Sequence, residues 1–253
     1  MVGLVRIAVA GGTGAVGRHV VAAARNAGHE PVVLARATGV DLITGEGLDL
    51  SGVAAVIDVT STGARSAEAS RRFFGTVTRR LLAAEHAAGV GHHVALGIVG
   101  SREAPYDYYA GKELQEELVE SAPVPWTILR ATQFHEFAAQ IFGQIRIGPI
   151  VLVPAMRSQP VAAREVAQRL VDLAAGAPAA HAADLAGPRE ERMARLSRRW
   201  ARASGRRGPV LEVPVPGPWG RALRDGTLLP KPGAEIGTQT FDEWLAASSF
   251  EGR

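Results

Sequence analysis

The chain has 253 residues, 47% of them hydrophobic, enough for one large α/β domain or a nucleotide domain with a small companion. It has no cysteine, which excludes disulfides, Cys-ligated zinc and thiol nucleophiles and fits a cytoplasmic location, and it has no apolar run long enough to span a bilayer. Net charge is only +3, but arginines 189, 192, 195, 198, 199, 202, 206 and 207 crowd one segment, while lysine occurs only at Lys112 and Lys231.

Residues 1–12 are apolar, lack a preceding basic stretch and run into glycines, so they read as a buried first strand rather than a signal peptide. The strand itself is expected over 5–10. Residues 15–27 have helical spacing, with Gly28 where a helix C-cap belongs. Segments 31–35 and 53–59 read as the second and third strands. A long helix over 66–88, with Ser66 as N-cap and Gly89 as terminator, leads to a strand over 92–96. A helix over 109–120, a strand over 126–129, a helix over 132–145 and a strand over 149–153 complete the series. After that the rhythm fades into helices over 161–175 and 189–203, a strand over 209–215 and an amphipathic turn or helix over 241–246.

Alternation of this kind implies βαβ units and a Rossmann-type, doubly wound parallel sheet over residues 1–153. Residues 154–253 are expected to form a smaller substrate-capping region over its open edge. Right-handed crossovers place every strand C-terminus on one edge, and ligands bind there. The loops to inspect are therefore 11–17, 36–42, 59–65, which opens with Val59 and Thr60, 97–104 and 131–134.

Gly11-Gly12-Thr13-Gly14-Ala15-Val16-Gly17 lies between the first strand and its helix. Gly11 permits a sharp turn, Gly14 lets a pyrophosphate approach the backbone, and Gly17 allows close helix packing. Free N–H groups at the helix start then hold phosphate. An acid at the end of strand two would hold the ribose hydroxyls of NAD, but here the strand ends Val33-Leu34-Ala35-Arg36. A guanidinium binds a 2′-phosphate bidentately, so Arg36 points to NADP(H) over NAD(H). Asp41 and Leu42 are placed to flank the adenine.

The combination resembles the NmrA-like, NAD(P)H-binding branch of the atypical short-chain dehydrogenase/reductase superfamily. It rests on the glycine loop, on Tyr108-Tyr109-Ala110-Gly111-Lys112, on the segment Ile128-Leu129-Arg130-Ala131-Thr132-Gln133-Phe134-His135-Glu136-Phe137 and on Gln159-Pro160-Val161-Ala162. Ala186-Gly187-Pro188 and Phe241-Asp242-Glu243-Trp244-Leu245 match as well. The resemblance implies a tyrosine proton donor and a lysine four residues on, sharing one helix face. Tyr108 and Lys112 fit that spacing, although Tyr109 could also face the site. The lysine would hold the nicotinamide ribose and lower the tyrosine pKa. Gln133 and Phe134 would lie beside the nicotinamide. The family's serine at the end of the fourth strand falls on Gly97, and Ser101 stands elsewhere in the loop.

Two functions follow. The first is an NADPH-dependent oxidoreductase passing hydride to or from a small carbonyl, quinone or activated alkene, with Tyr108 as acid. The second, prompted by Gly97, is a non-catalytic NADP(H) sensor acting on a protein partner. His92 and His93 read as structural, with no metal site; His135 and Glu136 read as surface and packing residues. The arginine segment reads as a solvated helix face rather than a nucleic-acid surface. The expected partner is a small-molecule substrate, without nucleic acid or membrane; a homo-oligomer stays open.

Overall fold

The computed structural model describes residues 4–248, so the first three residues of the apolar opening lie outside it. In chain order the first half contains β1 (Arg6–Ala10), α1 (Gly17–Asn26), β2 (Glu30–Leu34), a 3-10 turn (Arg36–Thr38), β3 (Ala55–Asp58), α2 (Ala67–Ala88), β4 (His92–Ile98), α3 (Tyr108–Glu120) and β5 (Trp126–Ala131). There follow α4 (Phe137–Phe142), β6 (Arg146–Ile147), β7 (Ile150–Pro154), β8 (Arg157–Ser158), α5 (Ala163–Ala175), β9 (Ala180–His181), β10 (Leu185–Ala186) and β11 (Glu191–Arg192). The chain closes with α6 (Met193–Ala203), β12 (Val210–Val213), α7 (Gly217–Asp225), β13 (Glu235–Ile236) and α8 (Phe241–Ala247).

Contacts divide the chain into two compact units, residues 1–130 with 163–183, and residues 131–162 with 184–253. This differs from the single break expected after residue 153. The chain enters the second unit at Ala131 and then returns, so that α5 packs beside α1 in the first.

In the first unit the sheet runs β2-β1-β3-β4-β5. The pairs β1–β2, β1–β3 and β3–β4 are parallel, so these strands end on a common edge. β1 and β3 show why apolar runs become central strands: residues 7–10 and 55–57 are at most 1% exposed, with no wet face. The strand order reverses at β1, so right-handed crossovers set α1 on one face and α2 with α3 on the other. Leu34, Val56, Val77 and Leu81 form part of the apolar core. Ser66 caps α2 by accepting from Ala69 N at 3.3 Å, and Gly89 closes it at φ +71°. The expected doubly wound α/β architecture is the one found.

In the second unit, Ala131 pairs with Leu185 of β10, which pairs in turn with β13. A separate three-stranded sheet runs β12-β7-β6. The helix expected over 132–145 shrinks to α4. Thr132 N donates to Leu185 O at 3.0 Å, Phe134 bridges Val161, and His135 N donates to Val161 O, so 132–135 is held in extended pairing that a helix cannot satisfy. The basic helix likewise starts only at Met193, because Glu191 and Arg192 pair with β8. No helix among the described residues is long and apolar enough to cross a membrane.

Candidate functional site

β1 delivers the chain to Gly11 at φ +81°, a left-handed conformation that glycine adopts without strain. Gly14 N donates back to Gly11 O at 2.9 Å, closing the turn. A Cβ on Gly17 would stand 2.1 Å from Gly11 O, so α1 starts hard against the loop. Thr13, Gly14 and Ala15 are exposed. The N–H groups of Thr13, Ala15 and Val16 have no acceptor among the described residues, and α1 has neither a side-chain cap nor an acid in its first turn. Unsatisfied donors at the positive end of a ten-residue helix suit an anion.

Two neighbouring strand ends complete this part. Arg36, in the turn after β2, is exposed and pairs with no carboxylate among the described residues. Val59 N donates to Ala10 O at 3.1 Å, and a Cβ on Gly11 would meet Val59 O at 3.0 Å. The loops after β1 and β3 therefore touch where the strand order reverses. Thr60, only 7% exposed, carries a buried hydroxyl with no hydrogen-bond partner among the described residues. Asp41 Oδ1 accepts from Ile43 N at 2.7 Å and Thr44 N at 3.2 Å, which folds its own loop, while Leu42 packs on the core. A backbone donor cradle, with a buried hydroxyl and a guanidinium that have no partner among the described residues, fits the phosphates of a dinucleotide.

α3 presents the second part. Of the two adjacent tyrosines, Tyr108 has its hydroxyl against the loop after β3, 3.1 Å from Ser61 Oγ. Its ring meets Phe74 edge-on, with centroids 5.4 Å apart. Burial pushes the phenol up to about 12. One turn on, Lys112 is 2% exposed and sits 4.8 Å from the Phe74 ring centroid, which overturns any reading of it as a surface charge. Its ammonium donates to Leu96 O and Gln115 Oε1. Gln115 Nε2 donates in turn to Asp58 Oδ2 at 2.7 Å, and Asp58 Oδ1 accepts from Thr60 N at 2.9 Å. Burial lowers Lys112 to about 8, opposed by the carboxylates of Asp58 and Glu116. The lowering of the tyrosine pKa that the resemblance implies is not found, because desolvation dominates at Tyr108.

Position 97 explains its own glycine. A Cβ there would lie 2.5 Å from Glu116 Oε1 and 2.9 Å from Arg130 Cγ. Glu116 is fully buried and accepts from Arg130 Nη2 at 2.7 Å, from Arg102 Nε at 3.1 Å and from Ser101 Oγ at 3.2 Å. The volume a serine would need is taken by an ion pair, and the nearby Ser101 hydroxyl is committed to the same carboxylate.

The other sequence candidates have partners of their own. Gln133 and Phe134 belong to the second unit, where Gln133 Oε1 accepts from Ser158 Oγ at 2.8 Å and Phe134 pairs with Val161. His135 is not at the surface: it is 1% exposed, with its ring centroid 5.6 Å from that of Phe241 and 5.8 Å from that of Trp244. His93 Nδ1 lies 2.8 Å from Glu85 Oε1, and His92 Nε2 lies 2.8 Å from Thr127 Oγ1, both in the core. Several arginines of the basic segment fasten the second unit: Arg199 to Asp242 and Glu191, Arg192 to Glu212, and Arg198 to Val210 O. Asp58, Ser61 and Gln115 escaped the sequence reading. An acid ending the apolar run of β3 at the ligand edge was a usable signal for Asp58; nothing local marks the other two.

Residues 11–176, more than half of the chain, match the family model described as NAD(P)H-binding. No curated protein matches significantly. Among solved structures, a short-chain dehydrogenase/reductase superfamily protein from Agrobacterium tumefaciens with bound NAD is similar at 22% identity, covering 95% of each chain with a TM-score of 0.64. The NADPH-dependent quinone oxidoreductase of Escherichia coli, complexed with NADPH, is similar at 16% identity, covering 95% of this chain and 98% of that one (TM-score 0.63). An NAD-dependent NDP-hexosamine 5,6-dehydratase, TunA, involved in tunicamycin biosynthesis, shares 18% identity over 97% of this chain and 99% of its own (TM-score 0.68). The chain belongs to the NAD(P)H-binding family and has a Rossmann-type fold like that of these solved structures.

Proposed function

We propose that the protein is an NADP(H)-dependent oxidoreductase of the cytoplasm acting on a small carbonyl, quinone or activated alkene. The observation that carries the cofactor choice is Arg36, an exposed guanidinium without a carboxylate partner among the described residues, in the turn after β2 and beyond a loop of unsatisfied amides. The amides of Thr13, Ala15 and Val16 take the pyrophosphate and Arg36 the 2′-phosphate. Asp41, Leu42, Val59 and Thr60 line the same strand ends. The bound cofactor supplies or accepts the hydride.

The chain's own residues manage the proton. Tyr108, pushed up to about 12, keeps its proton at neutral pH and donates it to an oxygen brought to its hydroxyl. Lys112, at about 8, is a cation at neutral pH, held by Leu96 O and Gln115 and balanced by Asp58. At neutral pH the phenol is therefore in the protonated form that reduction of a substrate oxygen requires.

Calorimetry with NADPH and NADH, followed by NADPH oxidation against a panel of carbonyls, quinones and activated alkenes, tests this. Binding heat for NADPH well above that for NADH, with turnover of at least one class, is expected. No heat with either nucleotide refutes the cofactor, and tight binding without turnover refutes the oxidoreductase. In that second case a non-catalytic NADP(H) sensor takes its place, a reading supported by the filled space beside Gly97. It requires unequal affinity for NADP+ and NADPH, and a protein partner whose binding follows cofactor state.

A further inference from the structure

The loss of a hydroxyl at position 97 leaves a question that the first unit answers elsewhere. In the resembled family a serine hydroxyl beside the tyrosine orients it. Here the volume at 97 is closed by Glu116 and Arg130, and Ser101 is bound to Glu116. Lys112 directs its ammonium to Leu96 O and Gln115. Of these groups none supplies a hydroxyl to Tyr108. The one that does is on a different strand: Ser61 Oγ, three residues past the end of β3, lies 3.1 Å from Tyr108 OH.

We propose that Ser61 is the positioning residue for Tyr108, taking over from the loop after β3 the task that a serine at position 97 would perform from β4. A phenol has one O–H to give and lone pairs to fill. While Tyr108 donates to a substrate oxygen, Ser61 donates to the phenol oxygen, fixing its direction and hydrogen-bonding the phenolate as it forms. Removal of that bond takes away the hydroxyl that fixes the direction of the phenol.

The loop carrying Ser61 is itself braced. Thr60 N donates to Asp58 Oδ1, Asp58 Oδ2 accepts from Gln115, and Val59 O sits against Gly11. Ser61 therefore links the glycine loop to the proton donor through two residues of backbone. The hydroxyl is exposed, so its geometry depends on that bracing rather than on burial of its own.

This inference rests on Tyr108 acting as the acid, and its test must separate the two. Ser61→Ala and Ser61→Thr are made in the full chain, with Tyr108→Phe as reference. The first readout needs no turnover: in protein labelled with carbon isotope at the tyrosine ζ position, the Tyr108 resonance is assigned by its loss in Tyr108→Phe. Ser61→Ala is expected to shift that resonance, and Ser61→Thr to restore it. The second readout is kinetic. Ser61→Ala is expected to lower kcat about tenfold, the effect of losing one hydrogen bond to a group that becomes charged, with the KM for NADPH unchanged and recovery in Ser61→Thr. An unmoved resonance in Ser61→Ala overturns the inference outright. A moved resonance with unchanged kcat overturns the positioning role. If wild-type protein shows no turnover at all, the oxidoreductase reading fails by itself, and Ser61 is then judged on the resonance alone.

Discussion

The two parts of the first unit's strand edge are built from different materials. At the glycine loop the functional groups are exposed backbone amides and the Arg36 guanidinium, without partners among the described residues. At α3 they are side chains bonded to one another around buried Lys112, Gln115, Asp58 and Glu116: Lys112 with Leu96 O and Gln115, Gln115 with Asp58, Tyr108 with the exposed Ser61, Glu116 with the partly exposed Arg130 and Arg102. The first part depends on shape and helix polarity, which any solvent-facing charge can join. The second depends on protonation, which burial sets. Substitutions should therefore act on binding at one and on stability and pH behaviour at the other.

The largest effect is expected where shape admits no relaxation. Gly17→Ala places a Cβ 2.1 Å from a backbone carbonyl that is already engaged by Gly14 N. Either the loop or α1 must move. Urea unfolding should show a loss of about 3 kcal/mol, the upper range for overpacking, and NADPH binding heat should vanish. A variant as stable as wild type that still binds NADPH would show that the loop is not the anion site.

Glu116→Gln should come next, and at the other part. It removes the charge that three donors share and leaves Arg130 and Arg102 facing an amide. Both arginines are partly wet, so the expected loss is about 2 kcal/mol in urea unfolding, below that for a fully buried pair. NADPH affinity should hold. A fall in affinity matching the fall in stability would mean that the two parts are not independent.

Arg36→Ala should reverse that pattern. The side chain is exposed and unpaired, so stability should change by less than about 0.5 kcal/mol. NADPH affinity should fall about tenfold by calorimetry while NADH affinity stays level, since only NADPH carries a 2′-phosphate. An equal loss for both nucleotides would assign Arg36 to the shared pyrophosphate instead.

The same contrast explains what could be read from the sequence. Backbone constraints write themselves into residue identity, because only glycine tolerates φ +81° at Gly11 and the close approach at Gly17. Tyr108 and Lys112 were legible because one helical turn joins them. Ser61 was not, since Tyr108 lies 47 residues away and nothing local marks the serine; Asp58 ended an apolar run at the ligand edge, but its partner Gln115, 57 residues on, carried no mark. Gly97 was legible as a missing hydroxyl, but not as a filled space; that needed Glu116 and Arg130 on two other elements. The helix expected over 132–145 failed for a similar reason: its first residues are claimed by strand pairing with Val161 and Leu185, which helical periodicity cannot reveal.

The last predicted effect is a slope with pH, and it belongs to the α3 part alone. In the unfolded chain Lys112 keeps its proton up to the ordinary lysine value of 10.5, but in the fold only to about 8. Between those values the unfolded state binds more protons, so the Lys112 contribution makes stability rise with pH. Tyr108 acts oppositely. Between its ordinary value of 10.0 and about 12 the fold retains a proton that the unfolded chain releases, so stability falls as pH rises through that window. The two together place a maximum near pH 10, against a background set by the surface charges. Lys112→Met should flatten the rise, and Tyr108→Phe should remove the fall, each read from urea midpoints across the alkaline range. A Lys112→Met protein with the wild-type rise would show that another group carries it, and the contrast between a backbone binding part and a side-chain chemical part would lose its electrostatic basis.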